Sequence, residues 1–164
     1  MATLPIDKLL VDRCVDTVNA ILTAMPTEDH PDRVIYVVPG QEVVWDDNCT
    51  GQLTARLSSF LPHRSTNTKT ASLTKCSIDY WTASVEITLL RCAQVVDNQG
   101  LAPSPTELTA DGLRGLYDMR VILEAITLLD FVDDVVTWEP IGPEGGFYGN
   151  RWIFTLKVDA TPCD

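Results

Sequence analysis

Five cysteines (Cys14, Cys49, Cys76, Cys92, Cys163) and two histidines (His30, His63) are the side chains of this sequence best suited to bind a metal or to run nucleophilic chemistry. A structural zinc site takes about four thiolate or imidazole ligands, usually in closely spaced pairs. No CxxC pair occurs, and Cys49, His63, Cys76 and Cys92 would have to converge from distant positions. Reduced, partly buried thiols that pack as small apolar groups are the better expectation. A Ser-His-Asp or Cys-His arrangement would have to recruit His30 or His63, and both stand in polar, proline-flanked stretches away from any nucleophile-elbow signature. The carboxylate pairs Asp46/Asp47 and Asp133/Asp134 have the charge for a hard cation. Adjacent acids at element ends are, however, mostly solvated turn residues. The glycine-rich run Ile141 to Asn150 invites a phosphate-loop reading, yet it holds no Lys, Ser or Thr and leads into a strand pattern. It therefore lacks both the charge and the helix N-terminus that phosphate binding uses. The Asn48-Cys49-Thr50 sequon has, without a secretory signal, no route to a glycan. No metal, no cofactor and no enzymatic activity are expected.

The elements that would position these residues can be read from periodicity. Leu4-Pro5 opens a helix in which Val11, Val15, Val18, Leu22 and Met25 recur at helical spacing, beside a second stripe of Ile6, Leu10, Cys14, Thr17 and Ile21. Met25-Pro26 ends it. Val34 to Val38 and Glu42 to Trp45 have strand character around the Pro39-Gly40 turn, and Gly51 to Leu61 alternates with a period of two. Pro62 to Thr74 reads as a long exposed loop. Ala83, Val85, Ile87 and Leu89 then define a strand whose other face, Thr82, Ser84, Glu86 and Thr88, is wet or covered by a polar neighbour. Ser104-Pro105-Thr106-Glu107 is a capping box, with Thr109 as a second possible start. Behind it Leu116, Met119, Leu123, Ile126 and Leu129 mark a helix whose far end is crowded by Asp130, Asp133 and Asp134, against the helix dipole. Val135 to Trp138, the glycine-rich connection as a long tip, and Trp152, Phe154, Leu156 and Val158 form a C-terminal hairpin. The expected fold is α+β: one domain over residues 1–164, with an antiparallel or mixed sheet, two main helices on one face, and a long C-terminal β-hairpin.

The 164 residues carry 23 acids against 12 bases, a net charge of −11. Such a chain repels nucleic acid at long range, which argues against a DNA- or RNA-binding module. No stretch reaches the roughly 20 apolar residues of a membrane span, and Asp7, Lys8, Asp12 and Arg13 break up any signal-peptide layout, so a cytosol-like compartment of synthesis is expected.

What is distinctive is a scatter of aromatics and glycines. The run Pro39-Gly40-Gln41-Glu42-Val43-Val44-Trp45-Asp46-Asp47-Asn48-Cys49-Thr50-Gly51-Gln52-Leu53 resembles a segment of virion proteins of long-tailed phages of actinobacteria. So do Arg91-Cys92-Ala93, Asp118-Met119, and the block Trp138…Gly142-Pro143-Glu144-Gly145-Gly146…Gly149…Trp152. The chain resembles, from about Met1 to Val158, the tail terminator proteins of these siphoviruses. The resemblance implies a structural protein that forms a hexameric ring on the head-proximal end of the tail tube. Such a ring stops tube growth and offers the docking surface for the head-to-tail connector or stopper. Its partners would be copies of itself, the major tail tube protein and the neck, in a virion assembled in the host cytoplasm, with DNA crossing the lumen unbound. Another neck component, a stopper or adaptor, fits the same pattern; an acidic protein-binding module is the remaining alternative. Closed rings use two different complementary patches per subunit. Exposed-looking residues of the kind interfaces use are Trp45, Ser65, Thr66, Asn67 and Lys69, together with Phe147 and Tyr148 at the hairpin tip.

Overall fold

The computed structural model describes residues 6–36, 51–64, 78–95, 100–144 and 146–159. Helix α1 (Ile6–Ala24) forms where its two apolar stripes predict it and buries Leu10, Cys14, Val18 and Ile21. A short 3-10 turn, Thr27–Asp29, follows. His30 Nε2 lies 2.7 Å from the Leu22 carbonyl oxygen and 3.2 Å from that of Met25. A ring N–H there satisfies carbonyls that the end of a helix leaves without partners. That is a structural task for one of the two histidines.

Five strands build one mixed sheet in the order β1-β2-β3-β5-β4. β1 (Arg33–Ile35) pairs parallel to β2 (Gln52–Arg64), and Val37 and Val38 of the expected Val34 to Val38 run lie outside the described residues. β2 pairs antiparallel with β3 (Ile78–Cys92), and β3 with β5 (Phe147–Asp159), which also pairs with β4 (Val132–Glu144). With α2 (Pro105–Thr127) the molecule is α+β and ends in a β-hairpin, as its patterning predicts. Both helices cover one face, where Ala83, Val85, Ile87 and Leu89 of β3 meet Phe154 and Leu156 of β5 and join a core with Val18, Ile21, Ile122 and Ile126. The predicted extended run Glu42 to Trp45 lies outside the described residues.

Several expectations are corrected. Pro62, His63 and Arg64 belong to β2 and not to a loop, because β3 begins early enough to pair with them. The rings of His63 and Tyr80 stack at 4.6 Å across that pairing. The rest of the expected loop lies outside the described residues. Of the two alternatives for the polar face of β3, cover by a polar neighbour holds at Glu86 and Thr88, which are buried with Gln52 and Thr54 of β2, while Thr82 and Ser84 are half-buried. Glu86 is sealed by charge, with Arg56 at 2.6 Å and Arg151 at 3.6 Å. Period-two alternation does not distinguish a solvated polar face from a neutralised one.

In α2 the buried stripe is Asp118, Val121, Ile122, Ala125 and Ile126, while Leu116 is exposed. An aspartate in an ion pair occupies the core-facing position, which turns the helix away from the purely apolar register. α2 stops at Thr127, so Asp130 sits in a turn and Asp133 and Asp134 in β4, and the conflict with the helix dipole does not arise. The capping box forms at Ser104 with Pro105 at the first helical position, and Thr109 is inside the helix. The glycine-rich connection is no long tip: β4 and β5 run through it and meet around Gly146, whose positive φ suits a tight turn. Gly149 is required for another reason, since a Cβ there would overlap the Leu89 carbonyl oxygen. Finally, Cys14 is a buried free thiol, as expected, but Cys92 is disulfide-bonded to a partner outside the described residues, so the cysteines are not all reduced.

Candidate functional site

The first three turns of α2 stand clear of the core. Residues 105–110 are all exposed, and Leu108, Leu113 and Leu116 are 51%, 63% and 55% exposed. Three leucines at this exposure on two and a half turns of helix form an apolar surface that folding alone leaves uncovered. Under Leu108 and Leu116, between α2 and the β4–β5 hairpin, lies a groove of about 300 Å³. Its helix side is Leu108, Asp111, Gly112 and Leu116; its sheet side includes Trp138, Pro140 and Tyr148.

A polar frame fixes this groove. Asn150 is buried and bridges its two sides: it accepts the indole N–H of Trp138 at 2.9 Å and donates to the Gly115 carbonyl at 3.0 Å. Trp138 in turn lies against Trp152 across the β4–β5 pair, ring centroids 6.2 Å apart. Behind the groove, Arg91 at the end of β3 grips Asp118 of α2 with two parallel hydrogen bonds, through Nε to Oδ2 and through Nη2 to Oδ1 at 2.9 Å. Its Nη2 also donates to the Asp29 carbonyl at 3.0 Å. Arg114 closes the set, 2.7 Å from the Asp29 carboxylate and 3.4 Å from Asp118. Two guanidinium groups and two carboxylates thus join the 3-10 turn, β3 and α2. A fork-to-fork Arg–carboxylate pair is directional as well as strong, which suits a joint that must hold one geometry.

The electrostatics follow from this packing. Burial works against the Arg114 charge, but its hydrogen bond to Asp29 and the carboxylates of Asp118 and Asp29 outweigh it and hold its pKa above the ordinary value. Burial pushes the Tyr148 phenol up, and the carboxylates of Asp111 and Asp118 add to the rise. The Asp111 carboxylate accepts the Gln94 backbone N–H at 2.9 Å. None of the described residues lining the groove is Lys or Arg. A second charged group crosses the sheet's other face, where Arg151 continues from Glu86 to Glu139 at 3.4 Å. It completes an Arg56–Glu86–Arg151–Glu139 ladder spanning β2, β3, β5 and β4.

No family model matches this chain, and no curated protein matches it.

Of the residues singled out in the sequence, Trp45, Ser65, Thr66, Asn67 and Lys69 lie outside the described residues. Phe147 and Tyr148 begin β5, paired with Cys92 and Arg91, and both are half-buried instead of projecting from a tip. Tyr148 faces α2 and forms one wall of the groove. Among the residues quoted for the resemblance, Arg91 and Asp118 join β3 to α2, and Trp138 and Trp152 meet across the β4–β5 hairpin. Sequence reasoning missed Leu108, Gly112 and Asn150. The signal was Gly112 and Gly115 inside an otherwise strong helix, each costing about 1 kcal/mol relative to alanine. Among the described residues there is no cluster of His, Cys, Asp and Glu that could hold a metal ion, and no helix long and apolar enough to cross a membrane.

Proposed function

We propose that this chain is a structural virion subunit, a tail terminator whose copies close into a ring, most simply a hexamer, on the head-proximal end of a phage tail tube. One observation carries the reading: the leucine-bearing overhang of α2 and the groove beneath it, an apolar surface braced by buried polar joints and set on one end of the sheet. A rigidly supported apolar patch with polar surroundings is what a protein–protein interface needs. The family resemblance supplies the identity of the assembly, with the tail tube protein on one side and the connector or stopper on the other. A stopper or adaptor ring would use the same chemistry, so position in the particle separates the two. The net charge of −11 suits a lumen that DNA crosses without sticking, because phosphate neutralisation by basic residues is what holds nucleic acid.

Mass photometry of the purified protein, with immunogold labelling of tails, tests this. Rings of one discrete size, and label confined to the head-proximal end of the tail, are expected. A strict monomer at high concentration that also fails to bind tail tubes overturns the reading.

A further inference from the structure

The groove beside α2 holds one charge that has no counterion in its own subunit. Behind the groove the guanidinium groups of Arg91 and Arg114 are matched by the carboxylates of Asp118 and Asp29, two against two. Asp111 stands outside that set. Its Oδ2 accepts the Gln94 backbone N–H at 2.9 Å, which fixes the carboxylate in place without neutralising it. Among the described residues no lysine or arginine pairs with it, and none lines the groove.

The sheet side of the groove is aromatic. Trp138 already donates its indole N–H to Asn150, so what it offers the groove is ring surface, and it is 36% exposed. Tyr148 is the second ring. Burial first, and then the carboxylates of Asp111 and Asp118, raises the Tyr148 phenol, so the field of Asp111 reaches that wall. A carboxylate and two aromatic rings around one small space suit a cation on an apolar stem: the stem packs on carbon, and the charge is attracted by the ring faces and by the carboxylate. An anionic ligand would meet Asp111 with like charge.

The surroundings select a protein chain over a free amine. Leu108 and Leu116 edge the groove and Leu113 stands on the same overhang, so exposed apolar surface continues past the space that one side chain fills. Gly112, in the groove wall, has ordinary helical geometry, and a Cβ placed on it would meet nothing within 4 Å. Nothing within the subunit requires a glycine there, and bare helix backbone is what close approach by another main chain uses. The net charge of −11 makes copies of this chain repel one another, whereas it draws a basic segment in.

We infer that the α2 groove receives an apolar segment of a partner protein other than this chain, anchored by one lysine or arginine whose stem lies on Trp138 and Tyr148 and whose charge meets Asp111. The inference rests on the reading of this groove as an interface and names the chemistry of what fills it.

The test is an NMR titration of the full chain, following the Trp138 indole N–H and the backbone amides of Asp111 and Gly112. The probes are capped peptides in which leucines flank a central lysine, norleucine or glutamate. The lysine peptide is expected to shift these signals and to bind about tenfold tighter than the norleucine peptide, the combined effect of an exposed cation–π contact and an ion pair. The glutamate peptide should bind weakest. Asp111→Asn keeps an oxygen for the Gln94 N–H and should remove most of the preference for lysine. Asp133→Asn deletes the same charge from an exposed position at the far end of β4 and should keep that preference. A preference that survives Asp111→Asn, or that Asp133→Asn reduces equally, overturns the inference. So does equal binding of the three peptides, or no shift at the groove. Asp111→Lys should leave ring formation in mass photometry as it is in the wild type; loss of rings in that variant alone would assign the groove to a second copy and overturn the inference while the ring reading stands. A wild type that never forms rings removes the ring reading, and the peptide titration then decides the inference by itself.

Discussion

The residues that hold this protein together are mostly charged or amide side chains working in pairs. Asp118 is the clearest case: its side chain is 2% exposed and is neutralised by Arg91 from another element. Removing one member of a buried pair costs about 3–5 kcal/mol when the other is left uncompensated, and Asp118 would keep only Arg114 at 3.4 Å, so the lower end applies. Arg91→Ala is accordingly expected to lower the unfolding free energy by that amount in urea denaturation, far more than Arg120→Ala, whose i,i+4 pair with Glu124 is exposed. Equal effects from the two would show that the Arg91 joint carries no special weight. Cys14 gives a pH signature. Burial raises its thiol from 9.0 to about 11. Between those values the unfolded chain has lost the proton and the folded chain has kept it, so stability falls as pH rises through this window and levels off above it. Cys14→Ala should flatten that alkaline decline, as read by melting temperature against pH, and an unchanged slope would remove Cys14 as its source. Arg91 and Asp118 were visible in the sequence as parts of a resemblance. Their contact was not, because an ion pair between residues 27 positions apart has no local signal.

At the scale of elements, strand and helix existence was legible, and what packed against what was not. The alternation in β3 and β5 fixed which side chains form the core, since a one-residue slip would send every one of them to the other face. The capping box placed the start of α2, and Met25-Pro26 the end of α1. The facing of α2 was read correctly at Met119, Leu123 and Ile126 and wrongly at Leu116, because the buried stripe runs through Asp118 and apolar counting treats an aspartate as surface. The hairpin tip was misread because four glycines and a proline (Gly142, Pro143, Gly145, Gly146 and Gly149) look like a loop, whereas Gly149 is there for close packing. Gly149→Ala tests this: its methyl would strike the backbone of β3, and a destabilisation at or above the upper end of the roughly 1–3 kcal/mol cost of overpacking is expected. A change under 0.5 kcal/mol would mean the two strands can separate at little cost. Gly112→Ala, with open space at its Cβ, makes the matched control and should not destabilise.

At the scale of the whole molecule, both helices and the three central strands share one contiguous core. The protein is therefore expected to unfold in a single step, with circular dichroism and tryptophan fluorescence giving coincident urea transitions. Two separated transitions would mean that the hairpin or α1 unfolds on its own. The α+β class was readable from composition and period because it depends only on which faces are apolar. The groove was not, because a concavity arises from where two distant elements stop touching, and no single segment encodes it.

Asn150 gives this arrangement a mechanical meaning. It ties the Trp138 indole to the Gly115 carbonyl, so the overhanging turns of α2 are anchored to the hairpin next to the place where they leave the core. A tug on the overhang is handed directly to strands whose ladders resist sliding, and the lever arm stays short. A subunit wired in this way passes load into its sheet and spares the helix from bending, and in the ring proposed above that would keep it seated under strain.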